Sequence, residues 1–394
     1  MTTMDENDRA RAGTLPEDPE ADAVPMGEDG KPAEQLRRLG DVLDDAIRRA
    51  EARRTKEERP VSVPWPDLGE QLGGGLWPGL HVLVGGTGTG KSTMALQLAL
   101  EAARQGTPVG YVGLELGELD VALRLLGEAA GVSWSRLYTG RATADEVSKA
   151  GARKDDLAGL PFYLELGRPN GWPAGELEVF AERMRREHPE AKPGALPMLI
   201  VLDFLQIVGD ETREDGRTMG LELRERIGRA AYFARDVSRR LNVAVLAVSS
   251  TARDKYGALG GDALDEIGLW LDKAGHPRVS RPDALVGTGK ESGELEYSAD
   301  SVTVAVRGPK LVTAEGTERC VVLVTAKGRA TGAGWCALRF VRGQRFAEWP
   351  NSAREVIQGI ETERAENAAA RKKRSASTDT KAEPAPERSN EDLA

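Results

Sequence analysis

The chain of 394 residues is poor in cysteine, histidine and aromatic residues, and each shortage removes a class of function. Two cysteines, Cys320 and Cys336, are too few for a disulfide framework, so a reduced cytoplasmic setting is expected. Both fall in apolar, strand-like stretches and read as core residues rather than reactive thiols. The histidines, His81, His188 and His276, lie scattered without the ligand spacing of a zinc site. Seven tryptophans show no periodic arrangement. No stretch approaches the ~20 apolar residues that cross a bilayer, and the start, MTTMDENDRARAG, is too acidic and polar for a secretory signal. No membrane partner is expected, and no internal repeat is visible.

The acidity of the chain is local. Residues 1–33 carry a net of −6 out of −9 for the whole sequence, and their Pro, Glu, Asp and Ala content predicts a disordered tail. The remainder is nearly neutral, so charge neither excludes nor announces a nucleic-acid partner.

Beyond the tail, residues 34–59 place Leu36, Leu39, Val42, Leu43, Ile47 and Ala50 at helical spacing, which predicts a lone amphipathic helix. Its apolar face packs on its own domain or docks on a neighbouring subunit. Residues 60–350 alternate between apolar strand runs (80–85, 108–116, 161–166, 198–208, 243–250) and helical stripes (92–106, 121–132, 175–188, 221–241). That alternation predicts an α/β domain with a mainly parallel sheet flanked by helices. A short helix is expected at 262–273, then further strands and a β-hairpin within 298–349. Residues 351–394 read as a short helix followed by a disordered tail.

One segment carries specific chemistry. Gly85-Gly86-Thr87-Gly88-Thr89-Gly90-Lys91-Ser92 fits the phosphate-loop pattern G-x-x-x-x-G-K-S/T and stands between a buried strand and a helix, where that chemistry requires it. Glycines let backbone N–H groups point inward, and the helix N-terminus adds positive potential. Lys91 is placed to reach the β- and γ-phosphates of ATP and Ser92 to hold Mg²⁺, with Thr93 beside it. Asp203 ends the apolar run LIVLD and supplies the second Mg²⁺-side group. Glu115 follows the strand YVGLEL and emerges at the same sheet edge, where it either orients and deprotonates the attacking water or is a solvated strand-end carboxylate.

These elements bring out a family resemblance. Residues 62–349 resemble the C-terminal ATPase domain of DnaB-like replicative helicases, within the RecA-like superfamily. The lead-in VPWPDLGEQLGGGLWPGLHVLVG, LELGELDVALRLL (114–126), LIVLDFLQIV with Gln206, GKESGELEYSADSVTVAVR (289–307) and TAKGRATGAG (325–334) each resemble a family motif, in the family order. The resemblance implies a RecA-like P-loop core with a C-terminal β-hairpin. It further implies Glu115 as the catalytic carboxylate, and Lys327 and Arg329 as a pair that a neighbouring subunit inserts toward the γ-phosphate. An arginine acting in trans requires an oligomer, so the resemblance implies a homo-oligomer, most often a hexamer, with the helix at 34–59 as its linker.

Three departures qualify the resemblance. Residues 1–60 leave no room for the family's helical collar domain, so that part is expected to be absent. Ser249-Ser250 stands where the family has Ser-Gln, which puts a side chain shorter by two heavy atoms at a γ-phosphate sensor position; Ser250 and Gln206 are the residues the resemblance assigns to γ-phosphate sensing. The stretch between Arg253 and Gly289 is longer than usual. For single-stranded DNA the candidate contacts are Arg213, Arg217, Arg253, Lys255 and Lys290, but the loop 210–220 holds four acidic residues against two arginines. Two readings therefore stand: an ATP-driven DNA helicase or translocase, and a RecA-like regulatory or recombination ATPase that does not unwind.

Overall fold

A computed structural model describes residues 38–113, 115–166, 172–173, 175–192, 194–203, 220–251, 261–286, 293–313, 316–341 and 345–379. The acidic tail of residues 1–33 lies outside them. The chain divides into two compact units, Met1–Glu51 and Ala52–Ala394. The described part of the first belongs to helix α1 (Leu39–Arg54), whose Leu39, Val42, Leu43 and Ile47 are exposed.

The second unit is built on strands β1 (Gly79–Gly85), β2 (Val109–Gly113), β3 (Phe162–Leu166), β4 (Met198–Asp203), β5 (Val243–Ser250), β6 (Leu269–Leu271), β7 (Pro277–Val279), β8 (Ser301–Thr313), β9 (Gly316–Gly328), β10 (Gly334–Val341) and β11 (Arg345–Ala347). Among the described residues nine of them form one sheet in the order β11-β10-β9-β8-β1-β5-β4-β2-β3, and β6 pairs with β7 alone. The pairs from β8 through β1, β5, β4 and β2 to β3 are parallel, and β9, β10 and β11 extend the sheet antiparallel. The helices are α2 (Pro66–Gln71), α3 (Lys91–Arg104), α4 (Glu118–Ala130), α5 (Trp134–Tyr138), α6 (Ala144–Gly151), α7 (Lys154–Ala158), α8 (Glu176–Glu187), α9 (Leu223–Arg240), α10 (Gly261–Ile267), α11 (Gly293–Ser298) and α12 (Ser352–Asp379).

Both faces of the central strands are covered, which is why β1, β2, β4 and the first seven residues of β5 are buried along their length. Alternate residues supply two cores. Val82, Val84, Ile200, Leu202, Val245 and Ala247 pack with Ile227, Ala231 and Ala234 of α9. Leu83, Val201, Leu246 and Val248 pack with Met94, Ala95 and Leu98 of α3. His81 is a core residue: Trp77 O and the Ser301 hydroxyl flank its ring nitrogens, each at 2.7 Å, tying β1 to β8.

Two expectations are corrected. The helix expected at 262–273 stops at Ile267, because Gly268 takes φ +65° and turns the chain into β6. The tail after 351 is not a short helix: α12 runs 28 residues to Asp379. Ala353, Val356, Ile357 and Ile360 anchor its start on the core. Beyond them Ala, Glu, Lys and Arg are strong helix formers, and no Gly or Pro intervenes between Gly359 and Pro384.

Candidate nucleotide-binding site

The phosphate loop leaves the sheet at Gly85, the last residue of β1, and enters α3 at Lys91. Its turn needs left-handed backbone at two positions: Gly88 has φ +77° and Gly90, the N-cap of α3, has φ +84°. At Gly90 a Cβ would lie 2.4 Å from Phe346 Cζ, so the position is closed by packing as well as by backbone conformation. The buried Thr89 donates its hydroxyl to Gly86 O at 2.8 Å, and Lys91 Nζ donates to the same carbonyl at 3.1 Å. Thr87 and Gly88 form the exposed crest.

The first turn of α3 faces the ends of the neighbouring strands across a cavity of about 430 Å³. Thr87, Gly88, Gly90, Lys91, Ser92 and Thr93 line it from the loop, Glu115 from the segment after β2, Asp203 from β4 and Ser250 from β5. Sheet register brings these together. Gly85 pairs with Ser250 and Gly113 with Asp203, while Leu202 pairs with Ala247, so β5 runs two residues past the end of β4 and carries Ser250 to the rim of the same sheet edge. Ser92 donates its hydroxyl to Asp203 Oδ1 at 3.2 Å. Asp203 is fully buried, and burial raises its carboxyl above the ordinary range; hydrogen bonds from Tyr111 and Ser92 and the charge of Lys91 work against that rise, while Glu115 adds to it. Burial lowers the Lys91 ammonium, and Asp203 and Glu115 partly restore it. Glu115 itself is exposed.

A hydroxyl facing a carboxylate at a helix N-terminus suits a hard cation that keeps most of its ligands as water and phosphate oxygens. Among the described residues no group of three or more His, Cys, Asp or Glu could hold a metal. Ser92 and Asp203 are the residues that would hold Mg²⁺ here, and the loop N–H groups with Lys91 those that would hold phosphates.

Four residues escaped the sequence reading. Tyr111, in the middle of β2, donates its hydroxyl to Asp203 Oδ2. Arg124 on α4 lines the cavity, donates from Nη1 to Thr93 Oγ1 at 3.1 Å and lies 3.8 Å above the Trp134 ring. Arg307 on β8 donates to Thr87 O at 3.3 Å. Thr251 lines the cavity with its hydroxyl buried and, among the described residues, without a hydrogen-bond partner. A signal existed for Arg124: it interrupts the stripe Val121, Leu125 at helical spacing, where a charge needs a reason.

Lys327 and Arg329 lie elsewhere. Arg329 donates its backbone N–H to Asp300 O at 2.8 Å and pairs through Nε with Asp300 Oδ1 at 3.1 Å. Asp300 in turn bonds Leu80, near the entry of β1. Lys327 donates to Tyr297 O at 2.8 Å. The phosphate loop is at the exit of β1, six residues and so ~20 Å away. Gln206, Arg213, Arg217, Arg253, Lys255 and Lys290 lie outside the described residues.

Comparison with known proteins fits this arrangement. The model of the DnaB-like helicase C terminal domain matches residues 61–257, half of the chain. The chain belongs to this family. It is similar to Replicative DNA helicase DnaB of Leifsonia xyli subsp. xyli (strain CTCB07), with 24% identity over 68% of this chain and 52% of the relative. The protein of that name in Rickettsia bellii (strain RML369-C) is 24% identical over 63% of this chain and 45% of its own length. The chain thus spans about half the length of these curated relatives. Across 21% of the chain it is 38% identical to DNA repair protein RadA of Listeria monocytogenes serovar 1/2a (strain ATCC BAA-679 / EGD-e), of which it covers 18%. Among solved structures, "ATPase Domain of G40P" superposes with a TM-score of 0.61 at 15% identity, over 80% of this chain and all of that one. "The Structure Of A DnaB-Like Replicative Helicase And Its Interactions With Primase" gives 0.59 at 16% identity, over 82% and 69%. The fold of this DnaB-family chain is therefore RecA-like. Among its described residues, no helix is long and apolar enough to cross a membrane.

Proposed function

We propose that this DnaB-family chain hydrolyses ATP with Mg²⁺ and couples turnover to movement along single-stranded DNA as a ring-shaped oligomer. The observation that carries the reading is the convergence of Lys91, Ser92, Asp203 and Glu115 on one cavity at the ends of β1, β2 and β4. Lys91 and the loop N–H groups bind and orient the phosphates. Ser92 and Asp203 hold the cation, which neutralises charge on the phosphates when bound. Glu115, exposed on the cavity rim, positions a water for attack. Arg329 and Lys327, ~20 Å from their own loop along β1, serve a neighbouring copy, which favours an oligomer. An arginine supplied this way raises turnover on the order of 10³–10⁵. The named relatives that replicate DNA favour DNA as the track.

The test is phosphate release with and without single-stranded DNA, beside the mass of the assembly in ATP. DNA should stimulate turnover, Lys91→Ala should lose nucleotide binding, and Glu115→Gln should bind nucleotide without turning over. If saturating single-stranded DNA neither binds nor raises turnover, the motor reading fails.

Ser250 supports a second reading, a RecA-like regulatory or recombination ATPase without unwinding. It lines the cavity at the exit of β5, but a serine reaches less far than the glutamine the family carries there. Unwinding of a forked duplex would remove this alternative.

A further inference from the structure

Asp203 is held from two sides, and only one side is the phosphate loop. Ser92 engages Oδ1 from the cavity at 3.2 Å. Tyr111 engages Oδ2 from beneath, within the sheet. Tyr111 pairs across the ladder with Val201, so its side chain leaves the same face of the sheet as that of Asp203, one diagonal step further along β4. A diagonal neighbour on the adjacent strand is within reach of a long or aromatic side chain such as this one. Both residues are fully buried, and the Tyr111 ring is fixed by Phe162 of β3, stacked at 6.4 Å and 25°. A buried carboxylate needs hydrogen bonds to each oxygen, and a buried phenol needs an acceptor, so each group answers the other's requirement.

From this geometry we infer that Tyr111 is the positioning residue of the metal site: it fixes the rotation of the Asp203 carboxylate so that Oδ1 stays turned toward Ser92 and the cation. The inference rests on the proposed nucleotide site. Without the phenol, Asp203 is free to rotate about its last bond, and one oxygen is left buried without a donor. Partners that orient metal-binding groups in this way typically govern 10–100-fold in metal affinity. Tyr111 is not among the residues that line the cavity, so removal of its hydroxyl should leave metal-free nucleotide binding alone.

The test is the Mg²⁺ dependence of nucleotide binding, read without hydrolysis. A fluorescent ADP analogue is titrated into the full chain in EDTA and then across a Mg²⁺ series, for the wild type and for Tyr111→Phe, which keeps the ring and its stack on Phe162. The expected result is unchanged affinity in EDTA and a Mg²⁺ half-saturation raised roughly 10-fold or more. In the Asp203→Asn background the same change should add little, because Tyr111 acts through that carboxylate. An unchanged Mg²⁺ half-saturation in Tyr111→Phe overturns the inference. So does an equal loss of affinity with and without Mg²⁺, the mark of a merely structural role, and so does full additivity with Asp203→Asn. A wild type that binds no nucleotide in either condition sinks the motor reading instead, and is distinguishable from all three.

Discussion

Replacing Gly90 by alanine tests the closure of the phosphate loop with a single methyl group. Gly90 has φ +84°, a conformation that costs an L-residue on the order of 1–2 kcal/mol. The new Cβ would also stand 2.4 and 2.6 Å from two ring carbons of Phe346, where ordinary carbon contacts begin near ~3.5 Å. Phe346 is poorly placed to retreat. Its backbone N–H donates to Gln97 Oε1 at 2.9 Å, and its carbonyl accepts from Gln97 Nε2 at 2.7 Å and from Trp65 Nε1 at 3.2 Å. Its ring packs on Phe340 with centroids 4.9 Å apart. Overpacking of this kind costs about 1–3 kcal/mol, so Gly90→Ala should destabilise by about 2–5 kcal/mol in total. Urea unfolding at 25 °C measures that loss as a lower midpoint. Nucleotide affinity should fall at least ~10-fold, because the same strain moves the N–H groups at the start of α3. The two components separate: in the Phe346→Ala background the steric part vanishes, and Gly90→Ala should then cost only the conformational ~1–2 kcal/mol. A Gly90→Ala protein with the wild-type midpoint and wild-type nucleotide affinity would refute the reasoning.

Glu128 of α4 is half-buried, and its carboxyl, ordinarily near 4.5, is pushed up to about 7 by burial, against the opposing charges of Arg104 and Arg345. The folded state then holds a proton that the unfolded chain releases, so stability is complete below pH 4.5 and is lost as pH rises through about 7. Glu128→Gln should remove that loss and be more stable than the wild type at pH 8, by at most about 3 kcal/mol less what residual solvent screens, with no difference at pH 4, as pH-resolved urea unfolding would show. Mixing inactive Lys91→Ala with inactive Arg329→Ala should restore turnover, since mixed neighbours pair an intact loop with an intact arginine; no recovery on mixing would count against an arginine acting between copies. Burial raises both thiols, Cys320 to about 12 and Cys336 well above its ordinary value, so a thiol reagent at pH 8 should modify neither until the protein is unfolded in urea.

The parts of the site legible in the sequence are those whose chemistry is local. The loop from Gly85 to Ser92 needs a strand before it, glycines within it and a helix after it, and all three are neighbours in the chain. Asp203 was legible because a carboxylate ending an unbroken apolar run must emerge at a strand end. Tyr111 was not, because its partner is 92 residues away and strand VGYVG looks apolar whether or not its phenol is used. Arg307 was equally hidden: only the pairing of β8 beside β1 puts it against Thr87, and no local pattern encodes that pairing. At α12 composition alone is ambiguous, because the Ala-, Glu-, Lys- and Arg-rich run that suggests disorder is also a run of helix formers, and the helix continues to Asp379. At residues 269–271 a helical period gave way to a strand because one glycine, Gly268, can turn where the neighbouring residues cannot.

The sheet that assembles the nucleotide site also dictates how copies of the proposed motor would have to meet. The phosphate loop, Asp203 and Ser250 share the exit edge of β1, β4 and β5, while Arg329 is bolted to the entry edge through Asp300. That bolt is stiff. Asp300 accepts from Leu80 N and donates its own N–H to Leu80 O, and a Cβ at Gly79 would lie 2.7 Å from its carboxylate, so little can shift between β1 and the arginine. The separation of ~20 Å is thus set by the length of β1 rather than by a flexible loop. A copy that offers a receptor at one edge and a finger at the other can engage a different neighbour at each, which is head-to-tail association, and head-to-tail contacts close into rings or run on as filaments. Turnover in such an assembly would depend on how squarely one copy's entry edge meets the next copy's exit edge, which makes the angle between neighbours, rather than any motion within the sheet, the variable through which a bound strand could act on hydrolysis.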